Sequence, residues 1–161
     1  MKQINSLTGM ADLIEDKSKP DELAIKVFHT EETLKKIFKS FAMSEIRTPA
    51  LESTNLFKRS VGDTSDIVNK ELYTFSDKND KSITLRPEGT ASVIRSIIEK
   101  KLDGETHKLW YLGPMWRYER PQKGRFRQFY QAGVEILGYS EGISEFEMIS
   151  LVCELNRKLL I

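Results

Sequence analysis

The chain has 161 residues, enough for a domain with a core, and its 39% apolar and 30% charged content is ordinary for a globular protein. A net charge of +1 excludes a global polyanion-binding signature, so any nucleic-acid contact has to come from a local patch. The single cysteine, Cys153, excludes an intrachain disulfide and a cysteine zinc cluster. With no leader-like opening and no apolar run of membrane-spanning length, the expected location is the cytoplasm.

After a turn-rich start with Gly9, apolar Leu23, Val27, Leu34, Ile37, Phe38 and Phe41 recur at helical spacing and predict a helix from about 20 to 41. Residues 44–53, "SEIRTPALES", read as a strand that Pro49 ends, because proline lacks the amide a central ladder needs. Residues 54–70 are polar and read as a functional or flexible loop with some helix. "LYTFSD" and "KSITLRPE" flank "KND" and predict a hairpin. "EGTASVIRSIIEKK", 88–101, predicts a helix with Val93, Ile94, Ile97 and Ile98 inward. Two long strand-like runs, 108–120 and 124–138, are joined by "PQK". The last helix is expected from Ser144, which forms a capping box with Glu147. This order predicts an α+β fold, an antiparallel sheet flanked by helices.

Strand side chains alternate faces, so the long hairpin can be read by parity. A turn near 122–124 sets Arg117 opposite Phe129 and Gly113 opposite Gly133. The even face, Leu112, Trp116, Tyr130, Ala132, Val134 and Ile136, is the expected core surface. The odd face then has a bare floor of two glycines, flanked by Arg117, Glu119, Phe129, Gln131 and Glu135. A bare floor admits a ligand close to backbone, Phe129 offers a ring for stacking, and Arg117 offers a fork for phosphate or carboxylate. The tip carries Arg117, Arg120, Lys123, Arg125 and Arg127, more cations than a turn needs. A solvated sheet surface is the alternative reading of the same charges.

In "TLRPEGT", 84–90, Pro87 and Gly89 force a sharp strand-to-helix turn bearing Glu88 and Thr90. These two serve either as helix caps or as acceptors for a ligand ammonium. Arg86 and Arg95 read as structural ion-pair partners.

Together these stretches resemble the N-terminal part of the catalytic domain of bacterial histidyl-tRNA synthetases, a class II aminoacyl-tRNA synthetase family. "FAMSEIRTPALE" resembles the body of motif 1 (motif about 38–52), "TLRPEGT" the amino-acid-binding turn (84–90), and "GPMWRYERPQKGRFRQFYQAGVEILG" the body of motif 2 (motif 109–138). The resemblance implies a class II catalytic-domain fold, present in part over 1–161. It implies ATP-dependent activation of histidine, with Mg²⁺ in the substrate complex, and transfer to tRNA(His). Carried onto this sequence, Arg117 is catalytic and contacts the α-phosphate and the histidine carboxylate. Glu119, Arg125 and Phe129 complete the ATP set, and Glu88, Thr90, Gln131 and Glu135 the histidine set. Arg120, Gln122 and Lys123 face the tRNA acceptor end, and no metal site is expected in the protein itself. A cytoplasmic homodimer without membrane contact is implied, with Phe38, Phe41 and Ile46 as apolar interface surface. Two departures stand out: Ala42 where the family often has glycine, so that a left-handed helix cap would strain it, and Thr8 where arginine usually precedes Gly9-Met10. Motif 3, a second histidine-binding segment and an anticodon-binding domain are not found in these residues, which therefore read as a fragment. The alternative function is the synthetase-like regulatory subunit of ATP phosphoribosyltransferase.

Overall fold

The structure, a computed structural model, describes residues 3–159 except 17, 20, 63, 64, 66, 121 and 123. Lys123 and the expected helix start at Pro20 therefore lie outside the described residues. The elements run α1 (Glu22–Ser40), β1 (Ser44–Glu45), β2 (Leu51–Ser53), α2 (Thr54–Val61), a π-helical turn (Ile67–Glu71), β3 (Thr74–Ser76), β4 (Ser82–Leu85), α3 (Thr90–Glu99), β5 (His107–Trp116), β6 (Gln128–Leu137) and α4 (Glu141–Leu159). The α+β class holds. The strands form two sheets, ordered β1–β5–β6 and β2–β4–β3, and β1 runs parallel to β5, a pairing the sequence did not announce.

The chain divides into two compact units. The first comprises Met1–Asp12, Arg47–Leu102 and Tyr111–Gly133. Here β4 is the central strand, paired antiparallel with β2 and β3. Its Thr84 hydroxyl is fully buried and bonds those of Thr54 (2.8 Å) and Thr74 (3.1 Å), which satisfies polar groups that burial would otherwise penalise. Phe57, Val93, Ile97, Tyr111 and Met115 form the apolar core. α3 buries Val93 and Ile97 as expected, while Ile98 is exposed and Ala91, Ser92 and Ser96 are buried in its place. The helix face is thus set toward the small residues, which let it approach closely.

The second unit comprises Leu13–Ile46, Asp103–Trp110 and Val134–Ile161. α1 starts where Asp21 accepts hydrogen bonds from the Leu23 and Ala24 amides, at 2.9 and 3.3 Å, which satisfies two of the orphan donors of a first turn. It ends in a Schellman motif: the Met43 N–H donates to the Phe38 carbonyl and the Ala42 N–H to that of Lys39. Ala42 sits at φ 54°, so the left-handed cap expected from the family's glycine is present, and an alanine carries it. Phe38 is 1% exposed and stacks on Trp110 at 5.2 Å between ring centroids. It is core, which removes it from the surface patch expected around Phe38, Phe41 and Ile46.

α4 begins at Glu141, three residues earlier than the capping box predicts. Ser144 is inside the helix, its hydroxyl donating to the Ser140 and Glu141 carbonyls, and Glu147 pairs with Lys108 at 2.6 Å. The box fails because its acid has a stronger charged partner far along the chain. No helix among the described residues is long and apolar enough to cross a membrane.

Candidate functional site

The site residues in the first unit gather around the turn 86–89 and the tip of the β5–β6 hairpin. Glu88 is spent on the turn itself. Its carboxylate accepts from the Thr90 amide at 2.5 Å and the Ala91 amide at 3.0 Å, capping α3. The adjacent carbonyl, that of Pro87, accepts from Nε of Arg117 at 3.0 Å. Arg117 is half-buried, and its guanidinium lies 5.1 Å from the centroid of the Phe129 ring. One edge of the fork is thus anchored and one face stacked, while its two terminal nitrogens make no hydrogen bond among the described residues.

The pairing differs from the expected one. The Arg117 N–H donates to the Arg127 carbonyl at 2.9 Å, and Trp116 Nε1 to Gln128 Oε1 at 3.1 Å. At the tip end Arg117 therefore faces Arg127, with Phe129 diagonal to it. Odd still faces odd, so the set on that face survives the shift.

The expected bare floor is overturned. A Cβ on Gly133 would lie 2.1 Å from the Tyr111 ring, and one on Gly89 would lie 2.2 Å from it. A Cβ on Gly113 would lie 2.8 Å from Nη2 of Arg86. The glycines make room for protein side chains, not for a ligand directly on backbone. The expected burial of the two faces is reversed for the same reason. Tyr111, Gly113 and Met115 are buried, Leu112 and Trp116 are half-buried, and Tyr130 and Ala132 are exposed. The turn 86–89 covers the odd face, and parity alone cannot reveal which face a distant segment covers.

Tyr111 is the residue that sequence reasoning overlooked. Its hydroxyl accepts from Gln131 Nε2 at 3.3 Å, and the Gln131 Oε1 is buried without a hydrogen-bond partner among the described residues. Two glycines with one aromatic on the same strand face were the available signal: a ring needs such space. An acceptor left unpaired in this way costs free energy until a donor arrives.

At the tip, Glu119 is half-buried and pairs with exposed Arg125 at 3.2 Å. Its carbonyl accepts from Nε of Arg127, whose guanidinium lies 4.1 Å from the Tyr118 ring centroid. The Arg127 and Gln128 amides both donate to the Gly9 carbonyl, which ties the N-terminal segment to the hairpin. Gly9 is at φ 79°, a left-handed turn that glycine adopts freely. Arg120 and Gln122 are exposed, and Gln122 bridges to Arg125 through backbone. Thr90 is exposed at the start of α3. Glu135 lies half-buried on β6 in the second unit. Arg95 behaves as expected, donating to Glu52 at 2.6 Å through Nη2 and to Glu99 at 2.6 Å through Nη1. Those carboxylates hold its pKa above the ordinary value. Arg86 does not behave so: its hydrogen bonds among the described residues go to uncharged oxygens. No group of three or more His, Cys, Asp or Glu among the described residues could hold a metal ion.

A profile of the family described as histidyl-tRNA synthetase matches residues 14–160. The chain belongs to the histidyl-tRNA synthetase family. It is 58% identical over 131 residues to the histidine–tRNA ligase of Desulfitobacterium hafniense, covering 80% of this chain and 31% of that one. It is 46% identical over 159 residues to that of a Marinomonas species, covering 98% and 36%. The apo S. aureus histidyl-tRNA synthetase crystal structure superposes with a TM-score of 0.76 at 36% identity, over 97% of this chain and 35% of that one. A Bacillus halodurans structure described as an ATP phosphoribosyltransferase regulatory subunit/histidyl-tRNA synthetase shares the fold, with a TM-score of 0.78 at 21% identity. This chain spans about a third of the length of these synthetase relatives. The fold is thus of the class II synthetase type expected from motifs 1 and 2.

Proposed function

We propose that the chain forms part of the catalytic domain of a histidine–tRNA ligase, carrying its motif 1 and motif 2 segments. The observation that carries this reading is Arg117, anchored at Nε to Pro87, stacked on Phe129, and with both terminal nitrogens unspent among the described residues. In the proposed reaction a histidine carboxylate oxygen attacks the α-phosphorus of ATP. The bond to the bridging oxygen of the leaving pyrophosphate breaks, giving histidyl-adenylate. Charge grows on the phosphate oxygens, and a preorganised guanidinium stabilises it without reorganisation cost. The terminal ribose hydroxyl of tRNA(His) then displaces AMP. Mg²⁺ enters with ATP as part of the substrate.

The orphan Gln131 Oε1 suits a donor such as the histidine ammonium, with Glu88 and Thr90 completing the proposed histidine set. Glu135 serves the imidazole, Phe129 and Glu119 the adenine, Arg125 the γ-phosphate, and Arg120, Gln122 and Lys123 the acceptor end. Engagement of ATP requires the Glu119–Arg125 pair to open. In that pair Arg125 is exposed and Glu119 half-buried. The proposed whole is a cytoplasmic homodimer.

The test is histidine-dependent exchange of pyrophosphate into ATP, measured on a chimera in which this chain replaces the matching segment of the D. hafniense ligase. The chimera is expected to exchange. Arg117→Ala should lower turnover, and Glu135→Ala should raise the histidine requirement, each by about 1–3 kcal/mol in kcat/KM. Two variants with unchanged ATP and histidine kinetics would remove the site assignment. A folded chimera that binds histidine without exchange would favour the regulatory-subunit reading.

A further inference from the structure

Arg86 is 9% exposed, and its guanidinium meets three uncharged oxygens. Nη1 donates to the Thr48 carbonyl at 2.8 Å and the Thr48 hydroxyl at 3.0 Å, and Nε donates to the Pro114 carbonyl at 3.2 Å. Nη2 fills the space that Gly113 leaves by lacking a Cβ. Burial holds its pKa below the ordinary arginine value, although Glu52 pulls the other way. A buried cation without a carboxylate in contact is expensive, so a role in bare stability is poorly served by it.

The backbone of the same residue is also engaged. The Arg86 carbonyl accepts from the Trp116 N–H at 3.1 Å, immediately before Arg117. The next carbonyl, of Pro87, holds Nε of Arg117, and the next side chain, Glu88, caps α3. One side chain thus ties the 46–50 loop, β5 and the turn that aims Arg117.

We propose that Arg86 is the positioning residue for Arg117, holding the Pro87 carbonyl where it fixes the guanidinium for an anionic ligand. The ligand part rests on the reading of Arg117 given above; the positioning part does not. A lysine cannot replace it, because one ammonium does not reach Thr48 and Pro114 in the fork geometry.

The experiment follows the Arg117 side-chain Nε–H signal in the ¹⁵N-arginine-labelled chain, assigned with Arg117→Lys. In the unaltered chain this proton is expected to exchange slowly with water. Arg86→Lys should speed its exchange by about tenfold, the loss of one hydrogen bond's worth of protection. Gly113→Ala should do the same while keeping the guanidinium, since the new Cβ meets Nη2 at 2.8 Å. Arg95→Lys, which weakens the Glu52 pair in the same unit, should leave Arg117 protected. Unchanged protection in both Arg86→Lys and Gly113→Ala overturns the proposal, as does equal loss in Arg95→Lys. In the chimera, Arg86→Lys should lower kcat for pyrophosphate exchange, and that effect should vanish in an Arg117→Ala background. A persistent, additive effect there indicates a merely structural role and overturns the proposal. A chimera without exchange removes the ligase reading and leaves the exchange-protection result to decide positioning.

Discussion

At residue scale the informative positions are those where a side chain occupies another residue's missing Cβ. The Tyr111 ring meets the places of a Gly89 and a Gly133 Cβ, so it has no side to turn toward if either is filled. Gly133→Ala should therefore force a shift of ring or strand and cost about 1–3 kcal/mol, the usual range for overpacking. Gly104→Ala has no neighbour within 4 Å of the added Cβ and should stay within about 0.5 kcal/mol of the parent. Thermal melting of the two variants checks the contrast; equal melting temperatures would mean the ring is free to move. That Arg117, Phe129 and Gln131 share one face could be read in sequence because strand parity gathers them there. The ring over the glycines could not, since glycine spacing shows that space is needed and not what fills it. Arg86 was misread as an ion-pair partner because its neutral partners, Thr48 and Pro114, are distant in sequence.

At the scale of elements, local signals were reliable where the deciding contact is local. The "KND" turn closes the β3–β4 hairpin, and the departure at Ala42 marks a true left-handed helix end. They failed where the deciding partner is remote. Residues 44–53 form two short strands because β1 pairs with β5 and β2 with β4, so Pro49 lies in a break between partners. Lys108 similarly takes the acid of the supposed α4 capping box. The Ala42 cap yields a direct prediction. A left-handed alanine costs about 1–2 kcal/mol, and glycine loses roughly 0.5–1 kcal/mol more chain entropy on folding. Ala42→Gly should thus stabilise by about 0.5–1 kcal/mol, raising the denaturant midpoint at unchanged m-value. A lowered midpoint would show that the surrounding Schellman hydrogen bonds already absorb the strain.

At the scale of the whole molecule, the chain matches about a third of its ligase relatives, and the rest of their length has no counterpart in it. Within the first unit the cationic fork, stacking ring and orphan acceptor are all assembled. Catalysis is a stricter demand than order. A phosphoryl-transfer transition state bears charge on several sides, and positioning both reactants needs contacts from more than one direction. On the proposed reading Arg117 approaches from one of them. Each further charge-assisted contact that the remaining two thirds of a ligase would supply is worth about 1–3 kcal/mol. Two such contacts absent correspond to roughly 100-fold or more, since about 1.4 kcal/mol is tenfold. Because these contacts strengthen as charge develops, the loss falls on turnover at least as heavily as on ATP binding. The 161-residue chain alone is therefore expected to bind ATP weakly and to exchange pyrophosphate at least about 100-fold more slowly than the D. hafniense chimera that carries it. Both proteins are assayed side by side at saturating histidine and ATP. A rate for the isolated chain within tenfold of the chimera would mean that the first unit's own residues supply nearly all the transition-state stabilisation, and that the added segments serve tRNA rather than adenylate formation.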